Sequence, residues 1–135
     1  IYPTNHVEAA YADATVDTVT DMHFRLAPSL QEKDHTKKLK LRKDLVETYL
    51  PLWLGNLEKF LEAAGGMYFA SNKLSIGDIA VVARLNWLKD GTLEGIPTTI
   101  VDEYPLLLAL VDRVMSEPKI VVYMKNAPRS TMQRL

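Results

Sequence analysis

Three aspartates spaced by four residues, Asp13, Asp17 and Asp21, are the first group in the sequence that could do chemistry. Side chains four residues apart lie on one face of a helix, so the three carboxylates would be neighbours. Like charges at this spacing destabilise a helix by about 0.2–0.5 kcal/mol per pair. Solvent, an opposing cation or the ammonium group of a ligand must offset that repulsion. The spacing therefore leaves two interpretations open, a solvated acidic face and a binding site for a cation or an amine.

A second pattern, Ser75 followed by Asp78, predicts a capping box at the start of a helix. In such a box the serine oxygen accepts the amide proton of the aspartate, and the carboxylate accepts that of the serine. Leu74 and Ile79 occupy the positions of the accompanying hydrophobic staple. The helix that follows, Ile76–Lys89, is apolar on nearly all sides, which is typical of a buried helix. We expect a central helix with an internal cap, and a structural role for both capping residues.

Other patterns that carry chemistry are absent from the sequence. No cysteine occurs, which excludes a thiolate nucleophile and a cysteine zinc site. The three histidines are His6, His23 and His35, and none has a partner at metal-ligand spacing, so no metal site is predicted. No glycine-rich phosphate loop or Gly-x-Ser-x-Gly motif is found. The lysine-rich run over 33–43 is interleaved with acids and lacks aromatics, which favours a solvated helix start over a nucleic-acid surface.

Composition and charge place the chain among ordinary single domains. Its 135 residues are 47% apolar and 24% charged, which fits a globular domain with a core of its own. The formal net charge of −1 argues against a partner such as nucleic acid or an anionic membrane. No apolar run reaches the roughly 18–20 residues that cross a bilayer. Residues 1–4 have the character of a linker cut from a longer chain, and 129–135 that of a tail.

The elements that must position these groups are predicted to be helices throughout. The first helix begins after Asn5 as its N-cap and ends at Pro28. The second is long, with a kink at Pro51 and a stop at the glycine pair 65–66. The predicted helices span 6–27, 34–64, 76–89, 105–115 and 119–126. The fold class is therefore an all-α helical bundle.

Four stretches of the sequence together resemble the C-terminal helical domain of cytosolic glutathione S-transferases. The stretch 68–80, YFASNKLSIGDIA, resembles the family's S/T-x-x-D box at the start of its buried central helix. Residues 14–21, ATVDTVTD, resemble the sigma-class pattern, which includes the haematopoietic prostaglandin D synthases. Residues 102–107, DEYPLL, and 116–120, SEPKI, resemble the family's entry into its last helices. The resemblance covers nearly the whole chain in the right order.

The resemblance implies a transferase that joins the thiolate of glutathione to a hydrophobic electrophile, or that uses the same thiol for isomerisation. Glutathione would then be a substrate, and no metal or other cofactor is implied. Enzymes of this family are cytoplasmic homodimers, and each subunit also has an N-terminal thioredoxin-like domain. That domain holds most of the glutathione site and the catalytic tyrosine or serine, so the catalytic residue is expected outside this sequence. We expect the chain alone to be inactive.

The resemblance also assigns roles to residues of the first helix. Asp21 matches the aspartate that reaches across the dimer to the γ-glutamyl ammonium of glutathione, and Asp17 would support it or meet an arginine of the other subunit. His23 and Arg25 fall where this helix would line the electrophile pocket. Thr20 replaces one of the acids that hold a divalent ion in some sigma-like synthases, so no metal is expected there.

Two further hypotheses compete with the enzyme. One is a non-catalytic domain of the same fold that serves as an assembly module in a multiprotein complex. The other is an unrelated helical adaptor bundle. Glutathione binding by the full-length protein would separate the first interpretation from both.

Overall fold

The computed structural model describes residues 1–127, and all of their regular elements are helical. This confirms the predicted all-α class, while the predicted tail at 129–135 lies outside the described residues. None of the helices in this range combines the length and apolar character needed to cross a membrane. The described helices are α1 His6–Gln31, α2 His35–Asp44, α3 Leu50–Ala63, α4 Ile76–Lys89, α5 Pro105–Met115 and α6 Pro118–Asn126, with a π-helical segment Leu45–Tyr49 between α2 and α3.

Helix α1 begins as predicted and ends later than predicted. The side chain of Asn5 accepts hydrogen bonds from the amides of the first turn. The prediction that Pro28 ends α1 is wrong, because the helix continues to Gln31. Pro28 removes one amide donor and crowds the preceding turn, but hydrogen bonds on the inner side of the helix hold this turn together. There the buried Ser29 donates to the carbonyl of Leu26 at 2.9 Å and accepts from Nε of Arg42 at 3.3 Å.

The long second helix is present with its irregularity one turn earlier than predicted. The π-helical segment Leu45–Tyr49 immediately precedes Pro51. In that segment the amide of Leu50 bonds to the carbonyl of Leu45, five residues back. A proline ring clashes with the carbonyl four residues before it, and the wider π turn is a common way to absorb such a defect. The predicted stop is confirmed by positive φ angles of 105° and 84° at Gly65 and Gly66.

Helix α4 packs against α1 through a glycine. A Cβ at Gly77 would lie 2.9 Å from Cβ of Thr15, so only glycine permits this approach of the two helices. At the other end, the loop after α4 contacts Arg42, whose guanidinium donates to the carbonyl of Glu94 at 2.8 Å. Because Arg42 also contacts Ser29 in the last turn of α1, α4 runs parallel to the second half of α1, from the level of Thr15 towards that of Ser29.

Helix α3 runs antiparallel to α1 and holds the start of α5. The indole of Trp53 donates to the carbonyl of Thr18 at 3.0 Å, and the rings of Tyr11 and Phe60 lie 5.9 Å apart. The carboxylate of Glu58 accepts the amides of Leu106 and Leu107 at 2.9 and 3.0 Å, and so caps α5 from another helix. The core lies between α1, α3, α4 and α5, and its completely buried side chains include Met22, Leu54, Leu61, Val81, Leu85, Leu107 and Leu110.

Candidate functional site

The acidic residues of α1 form the exposed ladder that their spacing predicts. Asp13, Asp17 and Asp21 are all exposed on consecutive turns. Asp13 accepts a hydrogen bond from the hydroxyl of Tyr2 at 2.9 Å. Within residues 1–127, Asp17 and Asp21 have neither an ion pair nor a side-chain hydrogen bond. Two carboxylates one turn apart are therefore open to an external cation.

Asp21 belongs to an electrostatic group with Tyr49 and Arg25. Burial raises the pKa of the Tyr49 phenol, the charge of Asp21 raises it further, and the charge of Arg25 opposes the rise. The guanidinium of Arg25 lies 5.3 Å from the centre of the Tyr49 ring, a cation–π contact. A pocket of about 200 Å³ between the end of α1 and the π-helical segment is lined by both side chains.

His23 points to a different side of α1 from Arg25. Residues two apart in a helix project about 200° apart, and Arg25 is directed at the π-helical segment. The His23 ring is half-buried and packs edge-on against Phe24, with ring centres 6.5 Å apart. Its Nδ1 is buried and has no hydrogen-bond partner in the described part of the chain. The structure therefore does not bring His23 and Arg25 together around one cavity.

The capping box at the start of α4 is present and buried. The carboxylate of Asp78, which is 0% exposed, accepts from the amide of Ser75 at 2.7 Å and from its hydroxyl at 2.8 Å. It also accepts from the amide of Phe69 at 2.9 Å, which ties the preceding loop to the helix. Burial raises the pKa of Asp78, and these hydrogen bonds oppose the rise. The geometry gives both capping residues a structural role.

An apolar groove between α4, α5 and α6 was missed by the sequence analysis. Its volume is about 530 Å³, and Ala83, Trp87, Met115 and Ile120 are among its lining residues. The part of α4 that lines this groove carries the buried Val82 and the half-buried Ile79, Ala83, Asn86 and Trp87. The sequence shows that this face of α4 is apolar. Composition alone, however, does not tell an apolar face that is partly open from one that is fully buried.

Arg84 is a second feature that the sequence analysis did not use. It interrupts the apolar surface of α4, and its guanidinium lies 5.2 Å from the centre of the Trp87 ring. The side chain is half-buried, and burial lowers the pKa of the guanidinium. Among residues 1–127 it has no ion pair and no side-chain hydrogen bond.

The described residues were also compared with the ligand sets that metal ions require. No group of three or more histidine, aspartate or glutamate side chains in 1–127 could hold an ion. The ladder of α1 spreads its carboxylates over successive turns, and Thr20 stands between Asp17 and Asp21.

A comparison with protein families identifies the fold. Residues 20–127 match the family model described as "Glutathione S-transferase, C-terminal domain". The chain belongs to this family. The matched range includes Asp21, the capping box and all of α2 to α6, so the glutathione S-transferase domain accounts for the elements around the candidate site.

Individual relatives narrow the similarity further. The chain is 32% identical over 127 residues to the hematopoietic prostaglandin D synthase of Gallus gallus, and 30% identical over 128 residues to S-crystallin SL11 of Nototodarus sloanii. Each match covers 93% of the chain and 59% of the relative. The solved structure of prostaglandin synthase D of Nilaparvata lugens matches with a TM-score of 0.82 and 27% identity, covering 95% of this chain and 61% of that one. The chain thus spans about three fifths of the relatives it matches.

Proposed function

We propose that this domain is the substrate-binding helical part of a sigma-class-like glutathione S-transferase. The full-length protein would join the thiolate of glutathione to hydrophobic electrophiles, or use the same thiol for isomerisation. The observation that carries the proposal is the pair of exposed, unpaired carboxylates of Asp17 and Asp21 on α1 of a domain in this family.

The carboxylate pair suits the one cationic group of glutathione. The γ-glutamyl end carries an ammonium, and a charge-assisted hydrogen bond from it to Asp21 would be about twice as strong as a neutral one. Asp17 lies one turn away, so its charge would add to the attraction. The same contact would relieve the repulsion between the two carboxylates. We assign Asp21 the direct contact and Asp17 a supporting one.

The ammonium would come from glutathione held by a second subunit, so the proposal includes a homodimer. The outward face of α1 also presents Phe24, which is 69% exposed. Aromatic residues are enriched in protein–protein interfaces, so an exposed Phe24 is compatible with a subunit contact at this face. The catalytic hydroxyl, which would stabilise the thiolate, is expected in a thioredoxin-like domain outside the 135 residues.

Glutathione binding by the full-length protein tests the proposal directly. We expect Asp21→Asn to weaken glutathione binding about tenfold, because a hydrogen bond to a charged group contributes about 1.5–3 kcal/mol. Asp13→Asn is the matched control: it removes a carboxylate of the same ladder that Tyr2 already engages. Titration calorimetry of both variants, with circular dichroism as a folding control, measures the difference. Equal affinity in the wild type and Asp21→Asn would remove the assigned role.

A non-catalytic assembly module is the second candidate. The similarity to S-crystallin SL11 favours it, because that relative is not named as an enzyme. Under this interpretation the full-length protein folds and associates, but neither binds nor conjugates glutathione. Conjugation of 1-chloro-2,4-dinitrobenzene, followed by absorbance, separates the two candidates.

A further inference from the structure

Arg25 on α1 has no role in the site as described so far, because the structure separates it from His23. Its side chain is exposed, and within residues 1–127 it forms no ion pair. Asp21 precedes it by four residues, so the two side chains are neighbours on one helix face, with Cβ atoms about 5–6 Å apart. An aspartate and an arginine at this spacing can form a stabilising ion pair. Here both charges remain available to an external ligand.

The ring of Tyr49 holds the guanidinium of Arg25 in place of that ion pair. The guanidinium carbon lies 5.3 Å from the ring centre, and a stacked guanidinium keeps its N–H donors for another group. Burial and the charge of Asp21 raise the pKa of the Tyr49 phenol, and the charge of Arg25 lowers it. The three side chains are therefore close enough to affect one another electrostatically. Tyr49 is the last residue of the π-helical segment, and such segments are frequent at functional sites.

The pocket of about 200 Å³ beside this group has a mixed charge. Arg25, Tyr49 and Asp44 are among its lining residues, and Asp21 lies one turn before Arg25 on α1. Within residues 1–127 the carboxylates of Asp21 and Asp44 have no ion pair. One guanidinium thus lies between two free carboxylates. This arrangement favours a ligand that carries both an ammonium and a carboxylate over a simple anion.

We propose that Arg25 is a specificity-determining residue that binds the α-carboxylate of the same ligand head group whose ammonium Asp21 binds. The inference rests on the proposed function, since it extends the glutathione contact of that site. The γ-glutamyl end of glutathione carries an ammonium and a carboxylate on one carbon. A planar guanidinium can bind such a carboxylate with two parallel hydrogen bonds. One helix face would then recognise an α-amino acid head group, whereas Asp21 alone would accept any amine.

Three ligands of similar length separate the two charges of the head group. The first is S-methylglutathione, which has both charges. The second is the S-methyl form of γ-aminobutyryl-cysteinylglycine, which keeps the ammonium and lacks the α-carboxylate. The third is the S-methyl form of glutaryl-cysteinylglycine, which keeps the carboxylate and lacks the ammonium. Titration calorimetry of the full-length protein at neutral pH gives the three dissociation constants.

The two charged residues should respond to different ligands. We expect Arg25→Gln to weaken S-methylglutathione about tenfold, as the loss of one charged hydrogen-bond pair allows. The same variant should bind the γ-aminobutyryl ligand as well as the wild type does or more tightly, because a cation that repels its ammonium is gone. Asp21→Asn should weaken S-methylglutathione and leave the glutaryl ligand unaffected. Arg25→Lys keeps the charge without the planar fork and should retain part of the affinity for S-methylglutathione.

Arg113→Gln is the matched control variant. Arg113 is also stacked on an aromatic ring, 5.6 Å from the centre of Tyr68, but it donates to the carbonyl of Met67 at 2.7 Å. Its replacement should change none of the three dissociation constants. Circular dichroism of each variant checks the fold.

Two results would overturn the inference. One is an Arg25→Gln variant that binds S-methylglutathione like the wild type. The other is an Arg25→Gln variant that weakens all three ligands equally, which is the result for a purely structural contact with Tyr49.

The same measurements distinguish this inference from the proposed function. If Asp21→Asn weakens S-methylglutathione and Arg25→Gln does not, the role of Arg25 is refuted and the glutathione site remains. If the full-length wild type binds none of the three ligands, both proposals are refuted.

Discussion

Replacing Asp78 by alanine should destabilise the fold more than the loss of an ordinary helix cap. The carboxylate is completely buried and accepts three hydrogen bonds, two of them from the backbone amides of Phe69 and Ser75. An alanine leaves both amides without an acceptor in a place that water reaches poorly. The substitution would therefore loosen both the first turn of α4 and the loop that precedes it.

The expected loss in the free energy of unfolding depends on the number of amide donors left without an acceptor and on the removal of the buried charge. Each buried amide left unsatisfied costs about 1–3 kcal/mol. Removing the carboxylate also relieves its own desolvation, the main reason why the pKa of Asp78 is raised. We therefore expect a net loss of about 2–4 kcal/mol in the free energy of unfolding. A solvent-exposed cap contributes about 1 kcal/mol.

Asp34 supplies the matched control for that measurement. It is the N-cap of α2, it is exposed, and its carboxylate accepts a single amide, that of Lys37 at 2.9 Å. Urea unfolding followed by far-ultraviolet circular dichroism gives the two free energies under the same conditions. If Asp78→Ala costs no more than Asp34→Ala, burial and the bond to Phe69 do not contribute as the structure indicates.

Three further predictions use the same unfolding assay. Gly77→Ala should lower the free energy of unfolding by about 1–3 kcal/mol, because the new Cβ would lie 2.9 Å from Cβ of Thr15. Gly55→Ala is the control, since Gly55 has open space around it, and it should stabilise α3 by up to about 1 kcal/mol. Equal effects of the two substitutions would contradict the close contact between α1 and α4. Glu58→Ala should cost about 1–2 kcal/mol through the loss of the α5 cap, and Glu58→Gln, which keeps one acceptor oxygen, should cost less; no loss in either variant would refute the cap. The pKa of Asp78 is raised in the folded state, so the folded protein binds this proton more tightly than the unfolded chain does. The free energy of unfolding of the wild type, relative to that of Asp78→Asn, should therefore fall as the pH rises from the ordinary aspartate pKa through the raised one. A difference that is flat or rises over this window would mean that the hydrogen bonds outweigh burial.

Local signals account for the parts of the fold that the sequence predicts. The caps at Asn5 and Ser75 and the glycine stop after α3 depend on residues within one turn of each other. The prediction that Pro28 ends α1 was wrong, and the distortion expected at Pro51 lies in the turn before it, because the effect of a proline depends on the surrounding packing. At Pro28 a buried serine holds the turn together, and before Pro51 a π turn moves the defect upstream.

The candidate site could be predicted only where it lies on a single helix. The spacing of Asp17 and Asp21 fixes their common face, but no local pattern reveals that both lack a partner. His23 and Arg25 are neighbours in the sequence, yet the structure directs Arg25 to Tyr49 and leaves His23 half-buried.

The sequence pattern also does not determine the role of Arg84. As one charge in an apolar helix, it is compatible with a solvated edge, a buried ion pair or a binding group. The structure shows a half-buried guanidinium that is stacked on Trp87 and has no ion pair within residues 1–127, so an internal ion pair in that range is excluded. Each of these is a relation between α4 and the space around it, and none is encoded in the spacing along the chain.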